Sequence, residues 1–415
     1  MTALLDAYEP IVGHRVVDHL RQLARPLAGA RVLHVNSTRA GGGVAEILHR
    51  LVPLMCELGL DARWEVIEGD ADFFAVTKRF HNALQGERAD VPARLLDHYL
   101  DVNRSNADRL GPALAESDFV FVHDPQPAAL RRFTPIRSGR WIWRCHIDAS
   151  RPHRPVWKFL KEEVGGYDAS VFSLAAFAQP LPHPQYLISP SIDPLAEKNV
   201  ELPAGEVAAV AASFGLDPGR PVLAQVSRFD RFKDPVGVIR AYRMVKARLP
   251  VQLVLAGSAA ADDPEGAQVL AEVREEAGDD PDLKILLLPP DAHRTINALQ
   301  RRADVVLQKS LREGFGLTVT EALWKARPVV GGDTGGITLQ VIPRHTGFLV
   351  DTPEGAALRV RYLLRNPDLA SQMGEKGRLH VRDNFLLTRH LREYLTLMLG
   401  VARGGEDRIE IGDAA

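Results

Sequence analysis

The sequence predicts an α/β protein built from two Rossmann-like domains, each an open parallel sheet covered by helices, facing each other across a cleft. Three observations predict it. Short β-type runs alternate with longer helical patterns from about residue 30 onward, the pattern of strands joined by crossover helices. The 415 residues exceed one ordinary core and suit two domains of about 200 residues each. Between residues 178 and 220 the periodicity weakens and prolines gather, at Pro180, Pro182, Pro184, Pro190, Pro194 and Pro203. A hinge there separates the halves.

In the first half the strand candidates are RVLHVN (31–36), DARWEVI (61–67), DFVFVH (118–123), RWIWRCH (140–146) and ASVFSL (169–174). The second half repeats the theme with PVLAQVS (221–227), VQLVLAG (251–257), LKILLLP (283–289), DVVLQKS (304–310), PVVGG (328–332) and GFLV (347–350). The domains are therefore set at residues 1–195 and 196–415. The last amphipathic pattern, at about 385–400, is placed to pack back on the first domain. The acidic run EVREEAGDDPD (272–282) reads as a solvated helix end and turn.

Composition narrows the function classes. Hydrophobic residues make up 46% and charged residues 25%, ordinary for a globular chain. A net charge of -2 gives no basic excess for nucleic acid. Two cysteines, Cys56 and Cys145, are too few for a disulfide framework and have no metal-type spacing. No apolar run approaches the ~20 residues that cross a bilayer, and the N-terminus lacks a signal-peptide pattern. The expected location is the cytoplasm, with no membrane partner.

Four places can carry chemistry. Gly41-Gly42-Gly43 follows the first strand and precedes a helical pattern, so backbone N–H groups at the helix start can approach a phosphate or sugar hydroxyl. It is neither GxGxxG nor a P-loop, and a tight turn explains it equally well. The stretch Ser227–Pro235 follows the first strand of the second half. Asp234 is a good N-cap and Pro235 a good first helical residue, which puts Arg228 and Lys233 on the loop at the sheet's C-terminal edge. A guanidinium fork and an ammonium beside a helix start suit a diphosphate.

The third place is Arg312 to Glu321. Gly314 and Gly316 sit where a helix begins, so the N–H groups of Phe315, Gly316 and Leu317 can face an anion. Glu313 lies in the loop, suited to hydroxyls of a sugar, and Glu321 lies about one turn into the helix, suited to a vicinal diol. The fourth is a pair of strand ends, His123-Asp124 and His146-Ile147-Asp148, where a histidine can bond to a reacting sugar. His34, inside a strand, reads as a core histidine. Asp70 and Asp72 form a D-x-D, for which a structural or acceptor-hydroxyl role is favoured over a metal.

These residues resemble a known family. Arg228 with Lys233, and Glu313-x7-Glu321, match the signature of retaining GT-B glycosyltransferases of family 4 in spacing, order and position after strands. The stretches HVNSTRAGGGVAEILHRLVPLMCELGLDARWEVIEGD (34–70), HDPQP (123–127), RCHID (144–148) and SPSIDPLAEKNVEL (189–202) resemble trehalose glycosyltransferring synthases. The resemblance runs from about residue 30 to 400. It implies a nucleoside-diphosphate-glucose and free glucose as substrates, α,α-trehalose as product, a reversible reaction and a homodimer. It implies that Arg228 and Lys233 neutralise the leaving diphosphate, Glu313 holds the donor sugar and Glu321 the ribose. Gly42 and Gly43 let the loop approach the donor, and His146 sits beside the donor sugar. Asp70, Asp124 and Asp148 are assigned to the acceptor by region. No metal or other cofactor is obligatory, and Mg2+ stimulates only through the nucleotide. The alternatives are a trehalose phosphorylase of the same architecture, a family 4 transferase with a lipid or polysaccharide acceptor, and a non-catalytic sugar-nucleotide sensor.

Overall fold

The structure is a computed structural model that describes residues 4–39, 42–257 and 264–404. Its twelve strands divide between two units. The first contains β1 (Arg31–Asn36), β2 (Asp61–Val66), β3 (Phe119–His123), β4 (Arg140–Arg144), β5 (Ala169–Phe172) and β6 (Gln185–Leu187). The second contains β7 (Val222–Val226), β8 (Gln252–Gly257), β9 (Leu283–Leu287), β10 (Val305–Gln308), β11 (Val329–Gly332) and β12 (Gly347–Val350). Eleven of these lie on the runs picked from the sequence. The twelfth, β6, pairs with β5 through Ser170 and Gln185; three residues behind Pro184 are too few to show a period.

Each sheet is parallel throughout. In the first the order is β2-β1-β3-β4-β5-β6, and in the second β12-β11-β10-β7-β8-β9. Parallel strands are buried on both faces by crossover helices, so they are apolar along their whole length. β3 and β8 follow this rule, with every residue buried. In both sheets the order reverses once, at β1/β3 in the first and at β7/β10 in the second. In open α/β sheets ligands bind at the C-terminal edge beside such a reversal.

Each unit packs hydrophobic residues of its own sheet on its own helices. In the first unit Leu33, Val35, Val120, Val122, Trp141 and Trp143 of the sheet pack on Phe80 and Tyr99 of the flanking helices. In the second Leu223, Leu253, Leu255, Val305 and Leu307 pack on Val238, Tyr242 and Val360. The division falls between Ser191 and Ile192, a few residues before the boundary set from the sequence, and the chain from Leu387 belongs to the first unit. The physical reason is burial. Helix Leu387–Arg403 hides Leu391, Tyr394, Leu395 and Met398, and Tyr394 stacks on Phe121 of β3 at 5.0 Å.

The acidic run 272–282 is more than a solvated helix end. Arg243 pairs with Glu276 at 2.9 Å, Lys246 with Asp280 and Asp282, and Arg220 with Asp282 at 2.6 Å. The carboxylates dock on the cations of helix Pro235–Lys246 and of the turn before β7, which sequence spacing could not foresee. Among the described residues no helix is long and apolar enough to cross a membrane.

His34 is fully buried in β1 and stacks on Phe121 at 4.8 Å. Burial pushes its imidazole from 6.5 down to about 3. An unfolded chain therefore binds a proton at this site below pH 6.5 that the folded chain refuses. Stability is complete above that pH and falls as the pH drops, by about 1.4 kcal/mol per pH unit for one histidine. Thermal unfolding followed from pH 7.5 to 4.5 is expected to show a falling midpoint. His34→Phe, which keeps the stack, is expected to make that fall shallower; an unchanged slope would return the acid sensitivity to other groups.

Candidate functional site

At the reversal point of the second sheet, two loops meet. The first leaves β7. Asp230 accepts from the Phe232 N–H at 2.7 Å and tightens the turn Arg231–Lys233. Asp234, at a left-handed φ of 49°, then caps helix Pro235–Lys246 by accepting from the Gly237 N–H at 3.1 Å. Asp is one of the few non-glycine residues that adopts this region readily. The capping and the helical start at Pro235 are as the sequence indicated. Arg228 stands on this loop with its side chain about half exposed, 3.7 Å from Asp230.

The second loop leaves β10. Gly316, at φ 83°, turns the chain into helix Leu317–Trp324, a conformation that side chains resist. Leu311 donates its N–H to the Phe232 carbonyl at 2.7 Å, which ties the two loops together. Lys233 then reaches Glu313: its Nζ lies 2.6 Å from Oε2, with both side chains mostly buried. Ser310 donates to the same Oε2 at 3.2 Å, and Gln225 of β7 donates to the Lys233 carbonyl at 2.8 Å. The fold therefore brings Lys233 and Glu313 together across 80 residues.

A third loop, after β11, closes on them. Gly335 has φ 49°, and a Cβ there would lie 1.7 Å from the Glu313 carbonyl; one on Gly336 would lie 2.5 Å from the Phe315 Cα. Only glycine permits this approach. Lys309, at the end of β10, is 2% exposed and pairs with Asp234. The sequence reading missed Lys309, Ser310, Gly335 and Gly336. The glycine pair directly after a strand was the available signal for the last two.

Glu321 lies on the helix from Leu317 but is 3% exposed. Its Oε2 accepts from Gln300 at 3.3 Å. Lys325, one turn on, is buried beside it and bonds to Asn199 Oδ1 at 3.2 Å; burial pushes its ammonium down to about 7. Glu321 sits on the helix that follows the loop carrying Glu313.

In the first unit the reversal point gathers the other candidates. Gly42, at φ 80°, precedes helix Gly43–Glu57 and serves as its N-cap position; Gly41 lies outside the described residues. Asp124, just past β3, adopts φ 65°. Its Oδ1 accepts from the His146 N–H at 2.7 Å, and its own N–H bonds to the Arg144 carbonyl at 2.8 Å. Burial pushes the Asp124 carboxyl up to about 6. His146 Nε2 lies 3.0 Å from His123 Nδ1. Asp124 and His146 are thus in contact.

Asp148 and Asp70 make other contacts. Asp148 accepts from the Ser150 N–H at 2.9 Å. Asp70 caps helix Ala71–Leu84 by accepting from Phe73 N–H at 2.8 Å, and it meets His98 at 2.9 Å. That hydrogen bond to His98 holds its carboxyl below the usual range. Among the described residues no group of three or more His, Cys, Asp or Glu is disposed to hold a metal ion.

Comparison with known proteins gives the family. Residues 34–179 match the N-terminal domain of trehalose synthase, and residues 208–380 match the glycosyl transferases group 1 domain. A trehalose synthase from Pyrococcus horikoshii is 47% identical over 95% of this chain and 95% of its own. Another from Rubrobacter xylanophilus is 48% identical, covering 96% of this chain and 98% of its own. A solved UDP-forming α,α-trehalose-phosphate synthase from Burkholderia xenovorans superposes with a TM-score of 0.73 at 18% identity, over 90% of this chain and 100% of that one. That likeness shows the GT-B fold. The chain is a glycosyltransferase and belongs to the trehalose synthase family.

Proposed function

We propose that the chain is a retaining glucosyltransferase that joins glucose from a nucleoside-diphosphate-glucose to free glucose, giving α,α-trehalose in a reversible reaction. The observation that carries this reading is the meeting of Lys233 and Glu313 at the strand reversal of the second sheet, at 2.6 Å. It sets a cation for phosphate beside a carboxylate for sugar hydroxyls at the edge where such sheets bind ligands.

In this reading the second unit takes the donor. The diphosphate draws Arg228 and Lys233, with the helix start at Leu317 supplying N–H groups. Phe315 and Gly316 line its approach, Glu313 orients the sugar hydroxyls, and Glu321 accepts from the ribose diol. The C1–O bond to the diphosphate breaks toward an oxocarbenium-like sugar, and the cations stabilise the charge that develops on the leaving oxygen. The acceptor hydroxyl attacks C1 from the face the diphosphate leaves. Its proton passes to the departing phosphate oxygen, so configuration is retained without a protein nucleophile. Two side-chain cations take the part a metal plays elsewhere, and Mg2+ acts only as the nucleotide's counter-ion.

The first unit serves the sugars. Gly42 and Gly43 give close backbone approach, His146 contacts the transferred glucose, and Asp124, Asp148 and Asp70 are the acceptor carboxylates. Asp70 already serves as a helix cap, so its replacement acts on local structure as well as on binding.

Arg228→Ala and Lys233→Ala are expected to lower kcat/KM by about 100-fold or more, about 3 kcal/mol of transition-state stabilisation. Steady-state kinetics on folded variants checks this, and near-normal values in both would remove them from the phosphate site. Glu321→Gln keeps the shape and one acceptor. It is expected to weaken binding of the free nucleoside diphosphate in calorimetry, whereas unchanged affinity would leave Glu321 a core residue bonded to Gln300.

The product tests the whole reading. Incubation with ADP-, UDP- and GDP-glucose plus glucose is expected to yield a non-reducing disaccharide with one anomeric signal in proton NMR, because α,α-trehalose is symmetric. A reducing disaccharide overturns the acceptor, and a β-linkage overturns retention. Phosphorolysis of trehalose without any nucleotide-dependent transfer hands the assignment to a phosphorylase.

A further inference from the structure

Behind His146 three histidines of the first unit stand in a row. His34 of β1 places Nδ1 3.1 Å from Nε2 of His123, and His123 places Nδ1 3.0 Å from Nε2 of His146. The rings are close to parallel, 30° apart in the first pair and 17° in the second. At the far end His34 Nε2 is buried without a hydrogen-bond partner, and Phe121 and Tyr394 stack on the imidazole ring.

A neutral imidazole has one N–H and one bare nitrogen. Both contacts in the row are therefore hydrogen bonds only if every proton points the same way along it. There are two such arrangements. In one, the protons point inward, and His34 buries an N–H at Nε2 with nothing to accept it. In the other, they point outward, and only a bare nitrogen is buried there. A buried N–H without a partner is rarer and costlier than an under-used acceptor. The outward arrangement is favoured. His34 donates from Nδ1 to His123, His123 donates from Nδ1 to His146, and the His146 proton is left on Nδ1.

A third state, with an extra proton in the row, meets a hostile setting. Arg144 of β4 is completely buried, with Nε and Nη1 unpartnered. From helix Leu387–Arg403, Arg389 adds to the same field, and His390, disfavoured in its own charged form by burial, lies near the row. Glu393 pairs with Arg389, Asp124 is engaged by the His146 N–H, and Tyr394 presents its ring to His34. Burial first, and Arg144 next for His146, lower the imidazoles of the row from their ordinary value.

We propose that His34 and His123 are positioning residues that hold His146 neutral with its proton on Nδ1, so that it presents one fixed hydrogen-bond donor to the bound sugar. The proposal rests on the reading of His146 as a sugar contact and adds what sets that contact's polarity. A freely flipping imidazole would offer donor and acceptor by turns; the row removes one of them.

The test separates the two claims. In ligand-free protein labelled with 15N-histidine at pH 7.5, long-range 1H–15N correlation spectra are expected to show Nδ1–H forms for His34, His123 and His146. Single substitutions assign the signals. An Nε2–H form or an imidazolium at His146 overturns the proposal whatever the enzyme does. His34→Phe keeps the stack and removes the first donor, whereas His34→Asn returns an N–H near the place of Nδ1. The expected result is a single-tautomer pattern at His146 lost in His34→Phe and restored in His34→Asn. With it, kcat falls about 10-fold and recovers, while KM for the nucleotide-sugar stays put. A fall in kcat with the tautomer intact overturns the positioning role. Should His146→Phe leave turnover unchanged, it is the assignment of His146 to the sugar that fails, while the spectra still decide the row.

Discussion

A parallel sheet whose strand order reverses has one place where neighbouring strands send their connections to opposite faces. The backbone there cannot fill the space above the strand ends, and polar groups from both loops are left around a crevice. Several of the candidate residues lie around two such places. In the second sheet the reversal sets the loop after β7 beside the loop after β10, and Lys233 meets Glu313 as a result. In the first sheet it sets β1 beside β3, which aligns His34 with His123 and leaves Gly42 and Asp124 on adjoining loops.

Gathering charges in a crevice carries a desolvation penalty, and the protein offsets it by pairing them. Lys233 is held by Glu313, and Lys309 by Asp234. A buried pair contributes little net stability against an apolar substitute, yet losing one partner leaves an expensive lone charge. The Lys233–Glu313 pair leaves neither group as a lone charge at that position. Arg228, about half exposed, has only the longer contact with Asp230, at 3.7 Å.

In the first unit the pairing is incomplete, and that is informative. Arg144 is wholly buried and bonds to Ser173 only through Nη2, at 3.3 Å. Its field and the burial of the histidines act in one direction, against added protons. The same physics disfavours the charged form of its imidazoles. Stability and the chemical state of His146 are therefore coupled through one cluster, locked in place by helix Leu387–Arg403, whose His390 bonds to Ser191 at 2.8 Å.

Strand positions were legible because parallel strands are apolar on both faces and stand out between amphipathic helices. The loop after β7 was legible because Asp234 and Pro235 announce a helix start by local chemistry, and Gly316 marks a positive φ in the same way. The short β6 was not, since three residues carry no periodicity. Nor was the contact of Asp70 with His98, 28 residues away. The GT-B fold and the family followed from motifs in the chain itself. By itself the sequence determined the two sheets, the helix starts and the residue types offered at their edges, because these depend on near neighbours and on hydrophobic period. Only the tertiary structure decided that Lys233 contacts Glu313, that Glu321 is buried against Gln300, that the last helix joins the first unit, and that His34, His123 and His146 share one row. Those facts depend on strand order and on burial, which bring together residues far apart in the chain.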